Sequence, residues 1–405
     1  MMGSIGLNGL NFFTAAVQSG FGPFVTVWLS QNGWDLERIG VALSLGTLAQ
    51  LIAQLPSGYL VDHIHHKRNL TIAALAVLAA SAVLLSLPPS RTGVWSAEVL
   101  HAVASAVLVP AIAALTLSLC GQASFSQRLG VNARYAALGG AASAAFLGFA
   151  ASLLSERAVF TLTAALILPA VLSLLAIQPT DHIDPVNDHP ALLPAKEREF
   201  TPWCIFRNPV LHMFAVAIVL FHLANAALLP TALNNLTMHG VVPGYLVSAT
   251  IIVPQAITAL LSPWVGSLAQ SIGRRPVLLV GFAAVPLRAL LLATHPFAAA
   301  LVVFQVLDGV SATVFGLMLP LIAADVTKDN GYLNMAIGSL GLAVGLGATF
   351  STIIAGAIGD AFGDPAAFGF SAAAGLASVV MLAVMMPETR TIEVKEEIPA
   401  VAPWR

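Results

Sequence analysis

Charged side chains are scarce in this chain of 405 residues. Asp, Glu, Lys and Arg make up 9% of the sequence, whereas hydrophobic residues make up 58%. Soluble domains carry roughly 25% charged residues, and a water-soluble fold of this length could not cover its surface with so few. The composition therefore excludes an ordinary soluble protein and predicts one that is solvated by lipid.

Several functional signatures are also lacking. The sequence contains two cysteines, Cys120 and Cys204, which is too few for a disulfide framework. It has no phosphate-cradling glycine-rich loop, no nucleophile elbow and no dense set of metal ligands. We therefore expect no enzymatic activity, no ATP-driven transport, no cofactor, no metal and no nucleic-acid partner.

Long apolar runs are what the chain has instead. Each run is long enough to cross a hydrocarbon core of ~30 Å, which takes ~20 residues of helix, and none alternates with the period of a barrel strand. The sequence thus predicts an all-α membrane protein with twelve transmembrane helices, placed at 9–31, 39–62, 69–88, 94–120, 131–155, 158–177, 208–235, 244–270, 276–294, 297–326, 332–360 and 365–387. Because the second helix follows at once, we interpret the first run as a retained span rather than a cleaved signal peptide.

Basic residues are distributed unevenly between the two sets of connections. One set holds only Arg38, Arg91 and Arg157, whereas the other holds Lys67, Arg68, Arg128, Lys196, Arg198, Arg207, Arg274, Arg275, Lys328, Arg390, Lys395 and Arg405. Lys and Arg accumulate in cytoplasmic loops. The second set is therefore predicted to be cytoplasmic, together with both termini of a multi-pass protein of the inner (plasma) membrane.

The longest polar stretch divides the chain. We interpret 178–207 as a cytoplasmic linker between six-helix bundles at 1–177 and 208–390, and 391–405 as a cytoplasmic tail. The linker contains Asp181, His182, Asp184, Asp188 and His189. Their spacing matches no defined metal site, so a solvated loop is the preferred interpretation.

The two bundles repeat each other at an offset of about 207 to 210 residues. The matched positions are Pro110 with Pro320, Glu98 with Asp308, Pro23 with Pro230, Gln18 with Asn225, and Gly58 with Gly266. Two parallel six-helix repeats form the architecture of many secondary transporters.

Two loops then make the resemblance more specific, because both are similar to the G-x-x-x-D-R-x-G-R-R signature of the major facilitator superfamily (MFS). The first copy has Gly58, Asp62, Lys67 and Arg68, with His63 and His65 at the usual Arg and Gly positions; the second has Gly266, Gly273, Arg274 and Arg275, with Gln270 at the acidic position. The resemblance implies an MFS fold and a gate on the cytoplasmic face, in which Asp62 pairs with basic groups or with a neighbouring helix N-terminus. The alternative interpretation is a simple positive-inside anchor.

Charged and polar residues inside spans are costly and are therefore candidate functional residues. Arg288 and Asp308 are close enough in depth to pair, either as a permanent staple between helices or as a proton and substrate site. Glu98 lies one turn from His101, an arrangement that suits proton exchange. Gln18, His222 and Asn225 lie on the first and seventh helices, which the MFS resemblance places around a central cavity; interhelical hydrogen bonding is the alternative.

The predicted function is secondary transport of a small solute by alternating access. The pattern is nearest to the drug:proton antiporters of the superfamily, which implies proton-coupled efflux of a drug or metabolite by a monomer embedded in the lipid bilayer. The chain departs from that group at Trp95 and Glu98, where Arg and Gln are usual, and in the proline-free run from Gly139. Proton-coupled uptake of a sugar or small organic acid is the alternative, and a non-transporting sensor is an alternative of another class.

Overall fold

The computed structural model of the protein describes residues 2–21, 23–177, 207–239, 244–295, 297–328 and 331–390. The predicted tail at 391–405, and all of the predicted linker except residue 207, lie outside the described residues, as does Cys204.

The described residues form thirteen helices. In chain order these are α1 Met2–Gln18, α2 Pro23–Gln31, α3 Leu36–His63, α4 Lys67–Ser86, α5 Arg91–Leu153, α6 Glu156–Leu175, α7 Pro209–Asn225, α8 Leu228–His239, α9 Gly244–Ile272, α10 Arg274–Thr294, α11 Ala298–Thr327, α12 Leu333–Phe362 and α13 Asp364–Met385. Ten continuous stretches within these residues are long and apolar enough to cross a membrane.

The first and seventh predicted spans are each broken in two, which corrects the expectation of continuous helices at 9–31 and 208–235. The first crossing consists of α1 and α2, and the seventh of α7 and α8. Pro23 opens α2 and Pro230 lies in the first turn of α8. Proline is tolerated in a first helical turn, where its missing N–H has no intrahelical partner. The two breaks lie at equivalent positions of the two halves.

The fourth and fifth spans lie on one long element, α5. The connection predicted at 121–130 is helical, and the break falls on Gly121, whose φ of 65° is in the left-handed region that glycine adopts freely. The chain turns back at Gly121, as is shown by a hydrogen bond of 2.8 Å from the Asn132 amide to the Thr116 hydroxyl. In a straight helix these residues would be ~24 Å apart. Counting two crossings for α5, the described chain crosses twelve times, so the predicted all-α fold is confirmed.

Polar residues at helix starts explain where several crossings begin. Asp35 accepts from the N–H of Arg38 at the start of α3, and Ser90 accepts from the N–H of Gly93 at the start of α5. Asn208 caps α7 in the same way. Each cap satisfies backbone donors that would otherwise face lipid or protein without a partner.

Buried apolar residues form two main clusters. One is built from residues between Leu7 and Ile177, and the other mainly from residues between Leu211 and Met386. Ala113 and Phe125 of α5 join the second cluster. Each six-helix half therefore has its own core, and α5 also packs against the other half.

The two halves touch most closely at one end of the bundle, which we call the basic end because Lys67, Arg68, Arg274 and Arg275 begin the helices there. Here α3 packs on α12 and α5 packs on α9. A Cβ at Gly130 would lie 2.5 Å from the carbonyl oxygen of Ser262. A Cβ at Gly266 would lie 2.6 Å from that of Ser126. Glycine thus permits backbone-to-backbone packing that seals the basic end.

Burial decreases along α12 away from the basic end. Leu340, about two turns into the helix, is fully buried, whereas Phe362 at the far end of the helix is 78% exposed. Leu346, Phe350 and Ile353 between them are all exposed. The far part of α12 is thus less covered than its start, and we infer that the halves diverge toward the far end and leave a cleft there.

Candidate transport site

A buried arginine organises the polar centre of the second half. Arg288 of α10 is 2% exposed and donates hydrogen bonds to side chains from two other helices. Its Nη1 donates to Oδ1 of Asp308 on α11 and, over 3.2 Å, to Oδ1 of Asn225 on α7. Its Nη2 donates to Oε1 of Gln305 over 2.6 Å. Three oxygen acceptors thus surround one guanidinium inside the membrane.

Asp308 gives this network its contact with water. Gln305 is fully buried, whereas 23% of the Asp308 side chain is exposed. Asn225 is the last residue of α7 and therefore stands at the helix break, where the chain can turn its amide toward α10. Two groups inside the network have no hydrogen-bond partner in the described part of the chain: Nε of Arg288 and Nε2 of Gln305. The predicted pair of Arg288 and Asp308 is brought together, and Asn225 and Gln305 join it.

Glu98 is the buried acid of the first half. It is 6% exposed, and its Oε1 has no hydrogen-bond partner among the described residues. Its Oε2 would lie 3.0 Å from a Cβ built at Gly46 of α3. An ionised carboxylate without a partner is unfavourable in a low-dielectric site, so a carboxyl group that holds a proton suits this position.

His101 does not hydrogen-bond to Glu98 in the structure. Its ring stacks on Phe21 instead, with centroids 4.0 Å apart and planes inclined by 15°. Phe21 lies in the break between α1 and α2, so His101 supports that break from α5. Gln18, at the end of α1, is half-buried beside the same break.

His222 lies one turn before Asn225 but outside the arginine network. Its ring packs edge-on against Phe315 at 4.8 Å and against Phe221 at 5.1 Å. Its Nε2 is buried without a hydrogen-bond partner. The structure thus surrounds His222 with aromatic rings, not with the polar groups of Arg288 and Asp308.

The first copy of the loop motif joins the two halves. Asp62 accepts hydrogen bonds from the backbone N–H of Asn334 (3.0 Å) and of Met335 (2.8 Å), and from the Asn334 amide (2.7 Å). These groups form the first turn of α12, where backbone donors lack intrahelical partners and the helix dipole favours an anion. A Cβ at Gly58 would overlap the Asn334 carbonyl. In the same copy, Lys67 opens α4 and Arg68 donates to the carbonyl of Leu175.

The basic residues of the second copy are bound within their own half, although its Gly266 packs on α5 of the other. Arg274 is buried, and its Nε donates to Oδ2 of Asp325 over 2.9 Å. Its Nη1 donates to Gln270, which stands at the acidic position of the motif, over 3.0 Å. Arg275 donates to the carbonyl of Ala383. The charged groups of the two copies therefore have different roles: Asp62 bridges the halves, whereas Arg274 and Arg275 stabilise one half.

Glu388, just beyond α13, completes the second copy. Its carboxylate accepts from the backbone N–H groups of Arg274 (2.7 Å) and Arg275 (3.1 Å). Gly273 has a φ of 104°, and a Cβ there would collide with that carboxylate. Partial burial raises the pKa of Glu388, but the N–H donors of Arg274, Arg390 and Arg275 and the charge of Arg274 outweigh it, so the net pKa is below the usual value.

Comparison with known proteins decides the family. The MFS_1 like family matches residues 4–370. Two relatives from Mycobacterium tuberculosis, one from strain CDC 1551 and one from strain H37Rv, are each described as an uncharacterised MFS-type transporter. Each is 35% identical over 398 residues, covering 95% of this chain and 93% of the relative. The chain belongs to the MFS_1 like family.

Solved structures agree with this assignment at the level of the fold. This MFS-type transporter superposes on the E. coli fucose:proton symporter FucP with a TM-score of 0.74, at 14% identity, over 94% of this chain and 97% of that one. It superposes on the proton:xylose symporter XylE with a TM-score of 0.72, at 14% identity, over 96% and 95% of the two chains. A structure of FucP in the outward conformation gives a TM-score of 0.72. The predicted MFS fold is thereby confirmed.

Sequence reasoning missed several residues of this MFS transporter. Asp325 and Glu388 escaped notice because each lies at the end of a span, where an acid is unremarkable. Asn334 gave no signal beyond its place at a predicted helix start. Arg134 was not singled out because it lies near the predicted start of the fifth span at residue 131, whereas the helix begins directly after Gly121. The available signal for Asp325 was Arg274 of the motif, because a buried arginine needs a counter-ion.

Proposed function

We propose that this MFS-type transporter is proton-coupled and moves a small polar solute by alternating access. The observation that carries the proposal is the ion pair between Arg288 and Asp308, in which the acid alone of the pair has substantial exposure. A proton arriving from the cleft can reach Asp308 without unfolding the site. The pair then links the protonation state to the packing of α7, α10 and α11.

Protonation of Asp308 changes what Arg288 can bind. The neutral acid no longer balances the guanidinium, which is left with the amide oxygens of Asn225 and Gln305. A buried cation without a counter-ion is unfavourable, so the site favours either a new anionic or hydrogen-bonding partner or a rearrangement of the helices. Asn225 sits at the break between α7 and α8, where a small backbone change can move it.

Glu98 supplies a matching group in the first half. It occupies the position equivalent to Asp308, and the orphan Oε1 leaves it free to exchange a proton or to bind solute. We place one acid of each half beside the cleft, because a solute must be held by both halves if its binding is to favour their movement. We assign the solute pathway to Gln18, Glu98, His101, His222, Asn225, Arg288 and Asp308.

Alternating access follows from how the ends are closed. The contacts of Asp62, Gly58, Gly130 and Gly266 seal the basic end, while the far end is open. With the basic end placed in the cytoplasm, as the distribution of Lys and Arg predicts, this arrangement faces outward. Opening inward requires the break of the Asp62 contacts on α12, and we assign the gate to the two copies of the loop motif. We take each monomer as a complete transport unit.

Efflux by antiport is the direction that the sequence pattern favours. Proton-coupled uptake is the second candidate. It is favoured by the direction of the cleft, which opens away from the basic end and would let solute and proton enter together from outside. FucP and XylE, which share the fold, are proton symporters by description.

Proton flux in proteoliposomes tests the coupling. Purified protein is reconstituted with an internal pH dye, and fucose, xylose, lactate and ethidium are added outside in turn. A solute that drives internal acidification identifies symport, and one that drives alkalinisation identifies antiport. Asp308→Asn should abolish the solute-dependent signal. Asp35→Asn, on the exposed pair with Arg38, is the control and should retain it. Full proton flux in Asp308→Asn would overturn the proposal.

A cell assay separates the directions. The protein is expressed in an efflux-deficient bacterial host, which is challenged with toxic drugs, toxic sugar analogues and toxic organic acids. Protection by the wild type supports export, whereas sensitisation to one analogue supports uptake.

A further inference from the structure

Arg134 is a cation within the fifth crossing that has no counter-ion among the described residues. It lies on the second half of α5, two residues beyond Asn132, which bonds to Thr116 five residues before the turn at Gly121. Arg134 is therefore about 10 Å from that turn at 1.5 Å per residue. The salt bridges within the described chain involve Arg38, Arg274 and Arg288, and none includes Arg134. A charge on a membrane-crossing segment faces the protein interior or a water-filled cavity rather than lipid.

One nitrogen of Arg134 has a structural partner across the interface between the halves. Its Nε donates a hydrogen bond of 3.0 Å to the carbonyl of Ala259 on α9. That carbonyl would normally accept from the N–H of residue 263, but residue 263 is Pro263, which has none. Arg134 of one half thus satisfies a carbonyl that a proline has orphaned in the other.

The other two nitrogens are free. Neither Nη1 nor Nη2 of Arg134 donates a hydrogen bond within the described part of the chain, and neither atom is buried. Both nitrogens therefore reach solvent-accessible space, although the residue as a whole is only half-exposed. Arg134 lies one turn beyond Gly130, whose contact with Ser262 closes the basic end. Nη1 and Nη2 of Arg134 therefore lie one helical turn from the closed basic end, on the side of the cleft.

A planar guanidinium fork with fixed Nε matches the two oxygens of a carboxylate or phosphate. We propose that Arg134 is a solute-binding residue and that the transported solute carries an acidic group, which supplies the missing counter-ion. The inference rests on the proposed transport function, but it does not depend on proton coupling. The hydrogen bond to Ala259 orients the fork, so the site is formed only while the basic end is closed.

Ligand-induced thermal shifts of the purified protein in nanodiscs test this without any proton gradient. The probes are lactate, benzoate, succinate, glycerol 3-phosphate and inorganic phosphate, with fucose, xylose and tetraphenylphosphonium as neutral and cationic comparisons. At least one acid should stabilise the wild type and bind about tenfold to a hundredfold more weakly to Arg134→Gln, the range for hydrogen bonds to a charged group. The carboxylate and phosphate arms distinguish the two acidic chemistries.

A second substitution separates ligand binding from structure. Pro263→Ala returns an N–H to the carbonyl of Ala259, so the double variant Arg134→Gln/Pro263→Ala should fold even if Arg134→Gln alone does not, yet still fail to bind the acid. Arg157→Gln is the matched control, because Arg157 also donates its Nε to a backbone carbonyl, that of Ser86, and it should bind like the wild type.

Each result decides the inference. Loss of acid binding in the double variant, with binding retained in Arg157→Gln, supports it. Equal stabilisation of wild type and double variant by an acid overturns it, as does stabilisation only by a sugar or by tetraphenylphosphonium, or by none of the acids. Acid binding that persists together with absent proton flux would reject the proposed coupling and leave the role of Arg134 standing.

Discussion

Asp62 of α3 lies on the N-terminus of α12 and accepts the backbone N–H of Met335 over 2.8 Å. The acid belongs to one half of the transporter and the helix to the other. A carboxylate that caps a helix satisfies orphan donors and interacts favourably with the helix dipole. The contact therefore stabilises the closed basic end and has to break when that end opens.

Asp62→Ala should make the basic end open more often. A reporter cysteine at Ser262, which is fully buried in the seal, reads out opening through its rate of maleimide labelling in a Cys120→Ser/Cys204→Ser background. Loss of a helix cap costs about 1 kcal/mol, so the labelling rate should rise about fivefold. Asp35→Ala is the control, since Asp35 caps the start of its own helix α3 far from the interface. An unchanged rate in Asp62→Ala would mean that closure does not depend on this contact.

Gly58→Ala should open the same end by a steric route. The added Cβ would overlap the Asn334 carbonyl, and overpacking costs roughly 1–3 kcal/mol. The closed state alone bears that cost, so Ser262→Cys should label several-fold faster, by the same assay. Gly148→Ala places its Cβ in open space and should leave the rate unchanged. Equal rates for the two alanine variants would argue that the halves adjust without opening.

The fold could be predicted from sequence because its signals are local. Apolar length predicted the number of crossings, and the offset between the halves led to the pairing of Glu98 with Asp308 as symmetry-related acids. The breaks before Pro23 and near Pro230 were not predicted, since hydropathy is continuous across them. The helical start of the fifth span was also missed, because the polar residues at 121–130 resemble a loop. Their polar side chains are instead used between packed helices, as Ser126 shows by donating to the carbonyl of Gly266.

The site was predicted only in part, for a related reason. A charged residue inside an apolar span is conspicuous in the sequence, so Arg288 and Asp308 were predicted as site residues. Arg134 depends on where a helix begins, and its partner is a carbonyl orphaned by Pro263, which no side-chain pattern reveals. The roles of Asn334 and Glu388 depend on which helix ends meet in three dimensions. The sequence contains these residues but not their proximity.

Breaking the Arg288 and Asp308 pair should cost more than removing both charges. Asp308→Leu leaves a buried, unpaired guanidinium, and the loss of one partner of a buried ion pair costs about 3–5 kcal/mol. The double variant Arg288→Met/Asp308→Leu removes both charges and should recover much of the lost unfolding temperature in detergent, without recovering transport. If the decreases in unfolding temperature of the single variants Asp308→Leu and Arg288→Met simply add in the double variant, the two residues are not energetically coupled. The pair is then not the unit we propose.

The contribution of Glu388 to stability should depend on pH with a defined sign. Its pKa in the folded protein lies below the usual value of 4.5, so the ionised form binds the N–H groups of Arg274 and Arg275 more tightly than the protonated form does. Stability from this group is therefore fully present above the unfolded pKa and is lost as the pH falls through the lower, folded pKa. The difference in unfolding temperature between wild type and Glu388→Gln should be constant near neutrality and shrink below pH ~4.5.

Glu388→Asp sharpens this last test. It keeps the charge but shortens the side chain by one methylene, which takes the carboxylate away from the N–H donors at the start of α10. If those donors cause the low pKa, the aspartate variant should resemble Glu388→Gln at neutral pH and show a weaker dependence on pH than the wild type. If it resembles the wild type instead, the charge of nearby Arg274 is sufficient, and the close approach at Gly273 has only a packing function.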